Sequence, residues 1–448
     1  MVTNALRETA MAKLNYASRA GRARAGILTV LALALAGCDV TNPGPVQDEF
    51  LNLPDAHQAL VNGAGARLVQ AISYIGMQGA FSAREVFPTG NCCGNPNQTP
   101  LQQAGRHTPE QAGVFWQLGH QARWIAEDAL KRFTALGQGK VQPTIMAEAY
   151  LTAGYANRVL GENMCDAVFD GGAKQPIGKH FERAQEQFTQ AINLGTGNVK
   201  TAAYAGRASV RLYLKDWAGA ASDAQLVPVA FTYTYVTDTS NQQTQNNIWF
   251  NNANSPYRSY SSFKTWQLDY YNQTGDPRVQ IGVNAAIPYG NATLTGYGQV
   301  PWAFQQKYAT ANAPFKVSSG REMALVRAEA ALNANDVAGA MTLINSIRTI
   351  LISRTTNQPL PALTATTAAQ AWTFLKRERG IELWLEARRL GDMKRWKESN
   401  APGTLEWPNW EGLVRPDGQP GGSLFKENPP STCFPIPLEE LETNSNLS

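Results

Sequence analysis

Acidic and basic residues alternate near the C-terminus, where they are the first candidates for catalysis. Glu378, Glu382 and Glu386 are spaced four residues apart, which predicts that they share one helical face. A general acid needs a carboxyl group with a raised pKa, whereas neighbouring arginines lower that pKa. We therefore predict a structural ion-pair network here, including Arg389 and Asp392, and no catalysis.

The chain contains none of the common catalytic or cofactor motifs. It lacks a GxSxG nucleophile elbow, an HExxH zinc pair and a glycine-rich phosphate loop. We therefore expect neither enzymatic activity nor a bound cofactor.

Beyond the N-terminal segment the chain has an even number of cysteines, which in an exported protein allows two disulfides. They are Cys92, Cys93, Cys165 and Cys433. The sequence leaves three pairings open, although the adjacent Cys92 and Cys93 are expected to form disulfides with other cysteines and not with each other. A zinc site is the alternative reading. Because there is no CxxC pair and the four histidines are scattered, we expect no metal.

Residues 231–314 are rich in aromatic and amide side chains and lack helical periodicity. Rings can stack on the apolar face of a sugar while amides bond its hydroxyls, but most aromatic residues pack in the interior. We expect only two or three of these rings to contact a ligand, with a contribution from the loop at residues 83–98. The candidates, chosen by composition, are Trp249, Tyr257, Tyr260, Trp266 and Trp302.

The N-terminus is typical of an export signal. Arginines within residues 19–24 precede an apolar run at 27–36, which is too short to span a bilayer. Residues 35–38, Leu-Ala-Gly-Cys, resemble the lipobox of bacterial lipoproteins. We therefore predict a lipoprotein signal peptide at residues 1–37 and lipidation of Cys38, which would anchor the protein to a membrane.

Charge and composition exclude other classes of protein. The net charge of +4 comes from residues 1–37; the remainder has 34 Lys+Arg and 34 Asp+Glu. A neutral chain without basic clusters lacks the charge that nucleic-acid binding requires. Hydrophobic residues make up 43 % of the chain, enough for a large core. Whether translation starts at Met1 or Met11 is open.

Helical periodicity dominates the rest of the chain. Apolar residues recur every three or four positions at 60–75, 115–133 and 181–191, and Pro143 predicts the start of another helix. Residues 81–109, rich in Gly, Pro and Asn, indicate a long ordered loop.

An internal repeat lies in the middle of the chain. Residues 207–220 and 327–340 align without gaps, with seven identical positions. Each copy predicts a helix, a short turn ending in Asp and a second helix, as in a tetratricopeptide hairpin. One hairpin cannot bury its own faces, so neighbouring helices are expected.

Several segments resemble the SusD/RagB family of outer-membrane nutrient-binding lipoproteins. The sequence RERGIELWLEARRLGDMKRW at 377–396 resembles the C-terminal signature of that family, as does FPIP at 434–437. The lipobox, the helix at 116–130, residues 147–162, the hairpin at Arg207 and residues 320–332 follow the family pattern in that order. The ligand-facing segments match no family motif.

The resemblance implies a mostly α fold in a single unit, residues 38–448. Tetratricopeptide-like helical hairpins would form a scaffold, mainly at 55–228 and 320–397. An irregular, aromatic-rich ligand-binding portion would lie mainly at 81–109 and 229–319.

The resemblance also implies a function. A lipid-anchored protein at the outer-membrane surface would capture oligosaccharides and deliver them to a TonB-dependent transporter of the SusC type. A peptide-capturing member of the family and a structural hairpin scaffold that binds no nutrient are the alternatives. Stacking aromatics on one exposed face would favour glycan capture, and a deep groove with free backbone partners would favour peptide capture.

Overall fold

The computed structural model describes residues 48–90, 99–240 and 244–447. No helix in these ranges combines the length and the apolar composition needed to cross a membrane. Several predicted features lie outside the described residues: the signal peptide, Cys38, Cys92 and Cys93.

The chain divides into two units, residues 1–51 and residues 52–448. Of the first unit, only residues 48–51 are described, as part of the 3₁₀ helix Asp48–Asn52.

The first part of the second unit is a series of helices that are consecutive in the chain. Proline in the first turn opens α1, α2 and α4, where a missing backbone N–H costs nothing. Consecutive long helices pack against each other, and α1 also packs against α3 and α4. The predicted amphipathic helices are confirmed. The helices are α1 (Pro54–Ser82), α2 (Pro100–Gln103), α3 (Gly113–Leu136), α4 (Pro143–Asn163), α5 (Gly178–Leu194), α6 (Gly197–Tyr213) and α7 (Trp217–Gln225).

The second part begins with the irregular segment, which contains the short helix Trp266–Thr274 although its sequence shows no helical periodicity, and then returns to a series of helices. Ser319 and Thr367 cap two of these helices through their side-chain oxygens. The helices are α8 (Trp266–Thr274), α9 (Gly320–Asn333), α10 (Val337–Arg348), α11 (Ala368–Glu382), α12 (Arg389–Glu398), α13 (Ser423–Glu427) and α14 (Leu438–Thr443). The mostly α fold class is confirmed.

The two repeat copies form the hairpins α6–α7 and α9–α10, as predicted. Asp216 accepts a hydrogen bond from the Gly219 N–H at 2.9 Å, and Asp336 accepts one from the Gly339 N–H at 2.8 Å. A Cβ on either glycine would lie about 2 Å from the aspartate oxygen. The residue before each aspartate has a left-handed φ, 59° or 61°, which turns the chain sharply. The shared Asp and Gly of the repeat therefore form the hairpin turn.

Short strands within the described ranges pair as two-stranded antiparallel sheets, β1–β5, β2–β3, β4–β10, β6–β9 and β7–β8. Pairing of β4 with β10 brings together the two ends of the irregular segment. The strands are β1 (Phe87–Pro88), β2 (Asp166–Ala167), β3 (Gln175–Pro176), β4 (Thr232–Tyr235), β5 (Tyr260–Ser261), β6 (Ile281–Val283), β7 (Tyr289–Leu294), β8 (Gly298–Pro301), β9 (Ala303–Gln305) and β10 (Phe315–Ser319).

The signature segment at 377–396 is not one continuous helix. Helix α11 ends at Glu382, and left-handed φ values of 59° at Leu385 and 60° at Ala387 turn the chain into α12. The prediction that Glu386 shares a helical face with Glu378 and Glu382 is therefore wrong. Leu385 is fully buried, so core packing of this turn outweighs the local preference for a longer helix.

Buried ion pairs surround the end of α11, as predicted. Glu382 accepts from Lys316 at 2.8 Å and from Arg321 at 2.9 Å, while Glu378 accepts from Arg278 at 2.7 Å and from Arg348 at 2.8 Å. Burial raises the pKa of Glu382, but these cations outweigh burial and hold it well below its usual range. This carboxyl group is therefore ionised and unsuited to donate a proton.

A second group of ion pairs joins the signature segment to earlier helices. Arg379 holds Asp392 with two hydrogen bonds, at 2.8 and 2.9 Å, and Arg388 bridges Glu162 and Glu322. Burial raises the pKa of Asp392, but Arg379 and its neighbours bring it down to about 2. The predicted ion-pair network is confirmed for these residues.

Arg389 differs from the prediction, because its hydrogen bonds go to the main-chain oxygens of Ala83 and Glu406. It ties these segments together, and its charge also acts on the buried carboxyl group of Glu85, lowering the pKa that burial raises.

Candidate functional site

Three of the five predicted ligand-contacting rings lie in the interior. Tyr260, Trp266 and Trp302 have exposed fractions of 1, 7 and 3 %. The Tyr260 hydroxyl donates to the Met77 sulfur at 3.2 Å, and the Trp302 indole N–H donates to the Asn252 carbonyl at 2.9 Å. A ligand at the surface does not reach these rings, so we correct their assignment from stacking platforms to core packing.

The other two predicted rings are half-buried. Trp249 opens the π-helix Trp249–Ala253 and packs partly against the core. The Tyr257 ring centroid lies 3.9 Å from that of Phe250. Each ring keeps part of its surface accessible, so both remain candidates.

Two further rings are accessible although composition did not single them out. Tyr289, on β7, is 44 % exposed. Phe304, on β9, is half-buried, and its ring centroid lies 4.6 Å from that of the buried Trp302. Exposed and half-buried residues alternate along most of β7. This alternation at every second position of residues 289–294 is the signal that could have placed Tyr289 on an open strand face.

Arg258 lies among these accessible rings. Its Nε donates to the Tyr289 carbonyl at 3.1 Å and its guanidinium lies 5.8 Å from the Trp302 ring centroid. The Asn291 amide donates to the Pro256 carbonyl at 2.9 Å, which holds the neighbouring turn. The backbone of Arg258 has a φ of 36°, so these contacts hold a strained conformation at an exposed turn.

The loop that begins at residue 83 reaches the same place. The Thr89 hydroxyl donates to the Arg258 carbonyl at 2.7 Å, and the Thr89 N–H donates to the Ser259 carbonyl at 3.1 Å. Gly90 has a φ of 107°, and a Cβ there would lie 2.2 Å from the Thr293 carbonyl oxygen. Only glycine allows this approach, after which the chain enters residues 91–98, outside the described ranges. The two irregular segments therefore meet at Arg258.

We call this region the Arg258 surface and define it by the five side chains at the junction. They are Tyr257, Arg258, Tyr289, Asn291 and Phe304. It combines ring faces with guanidinium and amide groups, which can stack on an apolar ring face and hydrogen-bond to hydroxyl groups. No group of three or more His, Cys, Asp or Glu suited to a metal ion occurs in the described ranges.

The sequence of this chain matches a known protein family. The sequence profile of the SusD family matches residues 208–448, more than half of the chain, and the chain belongs to this family. Comparison with curated proteins gave no significant match.

Three solved structures illustrate the likeness of fold. A SusD homolog from Bacteroides thetaiotaomicron has a TM-score of 0.64 at 16 % identity, covering 89 % of this chain and 97 % of that one. A SusD superfamily protein from the same organism has a TM-score of 0.63 at 14 % identity, covering 88 and 98 %. A SusD-like carbohydrate binding protein from Bacteroides vulgatus has a TM-score of 0.57 at 13 % identity, covering 88 and 97 %.

Proposed function

We propose that this protein captures nutrient oligosaccharides at the cell surface and delivers them to a SusC-like TonB-dependent transporter. The observation that carries the proposal is the Arg258 surface, which lies where two irregular segments meet on a SusD-family scaffold. Its rings and hydrogen-bonding groups suit a neutral polyhydroxylated ligand. A structurally similar protein from Bacteroides vulgatus is described as carbohydrate binding, which supports the same class of ligand.

Within the Arg258 surface, Tyr289 is the ring best placed for stacking because nearly half of it is exposed. Tyr257 is proposed to contribute from its half-buried position on the same surface, and Trp249, half-buried at the start of the π-helix, is proposed as a further contact. The buried ion pairs around Glu382 and Asp392 hold the scaffold, and no catalytic step is proposed for them.

The test is calorimetric titration of the protein with neutral and acidic oligosaccharides and with short peptides. Replacement of Tyr289 by Ala should weaken oligosaccharide binding at least fivefold, on the order of 1 kcal/mol, without lowering the melting temperature. Leu226→Ala, which truncates an exposed apolar side chain on the α6–α7 hairpin, is the control and should leave affinity unchanged. Binding of peptides instead of oligosaccharides would favour peptide capture, and binding of neither would favour a structural scaffold.

The surface location rests on lipidation of Cys38, which the lipobox at 35–38 predicts. Metabolic labelling with a fatty-acid analogue should mark the wild-type protein and not Cys38→Ser. Equal labelling of both proteins would contradict the anchor.

Co-purification from native membranes should recover a TonB-dependent transporter with the wild-type protein.

A further inference from the structure

A separate cavity of about 620 Å³ lies between the first turns of α3 and the C-terminal helix α14. The turn after β2, which contains Asp170, forms another wall. The volume falls within the usual range of small-molecule binding sites. None of its lining residues belongs to the Arg258 surface.

One wall of the cavity is a row of aromatic rings along α3. Trp116, His120 and Trp124 are spaced four residues apart, which places them on one helical face. The Trp116 and His120 ring centroids are 4.2 Å apart, and Trp124 is 54 % exposed. An exposed tryptophan at the end of a ring row keeps more than half of its surface available for stacking.

His120 provides a second, independent observation. Its Nε2 is shielded from solvent but has no hydrogen-bond partner in the described chain. Burial first, and then the nearby Arg123, lower the pKa of His120 to about 3, so the imidazole is neutral near pH 7. A neutral imidazole beside a cavity can donate or accept a hydrogen bond without the cost of moving a charge.

Hydrogen-bonding groups line the remaining walls. Gln117 and Gln121 contribute amides from α3, and Glu439 and Glu440 contribute carboxylates from α14. The Asp170 carboxylate accepts from Arg123 at 2.7 Å, and this hydrogen bond lowers its pKa. The lining therefore has carboxylates in excess over its one arginine, which is already paired.

We propose that this cavity is a second carbohydrate site, which binds a neutral oligosaccharide segment through stacking on Trp124. Glutamine amides and carboxylates are suited to bind its hydroxyl groups. Acidic sugars are excluded because their carboxylates would face Asp170, Glu439 and Glu440 at close range. The class of ligand is inferred from the residues that line this cavity. The proposal therefore does not depend on ligand binding at the Arg258 surface.

The test uses the mature chain labelled with 5-fluorotryptophan and observed by fluorine NMR. The Trp124 resonance is assigned by its absence from Trp124→Phe. Maltoheptaose, xylohexaose and mannohexaose are the neutral probes, and hexagalacturonate is the acidic one. We expect a saturable shift of the Trp124 resonance with at least one neutral probe and none with the acidic probe.

Variants separate this site from the other surface. Gln121→Ala should weaken the response at Trp124 at least threefold, because it removes one amide donor and acceptor. Tyr289→Ala should leave the response unchanged even if it abolishes binding at the Arg258 surface. Trp407→Phe identifies the resonance of a second exposed tryptophan outside the cavity, which should not move.

A Trp124 resonance that stays in place with every neutral probe would overturn the proposal. So would a shift with hexagalacturonate that is as large as the shift with a neutral probe. A shift that disappears in Tyr289→Ala would assign the binding to the Arg258 surface alone.

Discussion

At Glu85, burial and charge act in opposite directions on one carboxyl group. The residue is 2 % exposed, and its Oε1 has no hydrogen-bond partner in the described chain. Burial raises its pKa to about 7 from the usual 4.5, although Arg389, the Leu385 backbone N–H and Lys307 pull in the other direction. Glu85 therefore differs from Glu382, whose cation partners are close enough to keep it ionised.

This difference predicts a pH dependence of stability. Since the folded-state pKa of Glu85 is raised, its contribution to stability is fully present below about pH 4.5 and is lost as the pH rises through 7. The shift corresponds to a loss of roughly 3 kcal/mol above pH 7. Glu85→Gln should remove this loss, so the variant should be more stable than wild type at pH 8 in urea unfolding.

The exposed Glu186→Gln on α5 is the matched control and should keep the pH dependence of the wild type. If Glu85→Gln and wild type lose the same free energy of unfolding between pH 5 and pH 8, the assignment of this titration to Glu85 is wrong.

At the scale of elements, the hairpins depend on a cap that the repeat encodes locally. Asp336 satisfies the Gly339 N–H at the start of α10, where the helix itself provides no acceptor. The same arrangement at Asp216 explains why two segments 120 residues apart keep the same Asp and Gly.

Asp336→Ala should lower the free energy of unfolding by about 1 kcal/mol, measured by urea denaturation, because it removes the N-cap acceptor. Asp336→Asn is the matched control and should stay within a few tenths of a kcal/mol, since its amide oxygen can accept the same bond. Equal stability of the Ala variant and the wild type would argue that the turn does not depend on this cap.

At the scale of the whole molecule, a disulfide joins the end of α4 to the C-terminal segment. Cys165 and Cys433 are bonded across a sequence separation of 268 residues. The Cys165 N–H donates to the Phe434 carbonyl, and the Phe434 N–H donates to the Asn163 carbonyl. The bond therefore closes a large loop at a junction already held by main-chain hydrogen bonds.

Removal of this bond should cost about 2 to 5 kcal/mol of unfolding free energy, because the unfolded chain regains the freedom that the loop closure removed. Cys165→Ala, Cys433→Ala and the double variant should be destabilised to a similar extent in guanidinium denaturation, since each breaks the same bond. Additive losses in the double variant would mean that the two side chains act separately.

Sequence alone determined the local features of this protein. Most helix positions, the paired hairpins and the family resemblance follow from patterns within a few turns of the chain, where periodicity and capping residues act directly. Helix α8 and the end of α11 before Glu386 do not follow from such patterns. Only the tertiary structure decided which rings of the irregular segment are exposed. Tyr260 and Trp302 are buried, whereas Tyr289 is exposed. The difference depends on segments far away in the chain, such as strand β1, which pairs with the strand that contains Tyr260.

Contacts between distant segments also explain the disulfide pairing and the end of helix α11. Four cysteines allow three pairings, and only the approach of the C-terminal segment to α4 selects Cys165 with Cys433. Glu386 continues a helical spacing in the sequence, yet burial of Leu385 ends the helix before it. In each case contacts between residues far apart in the chain outweigh a local preference, and a single sequence does not display those contacts.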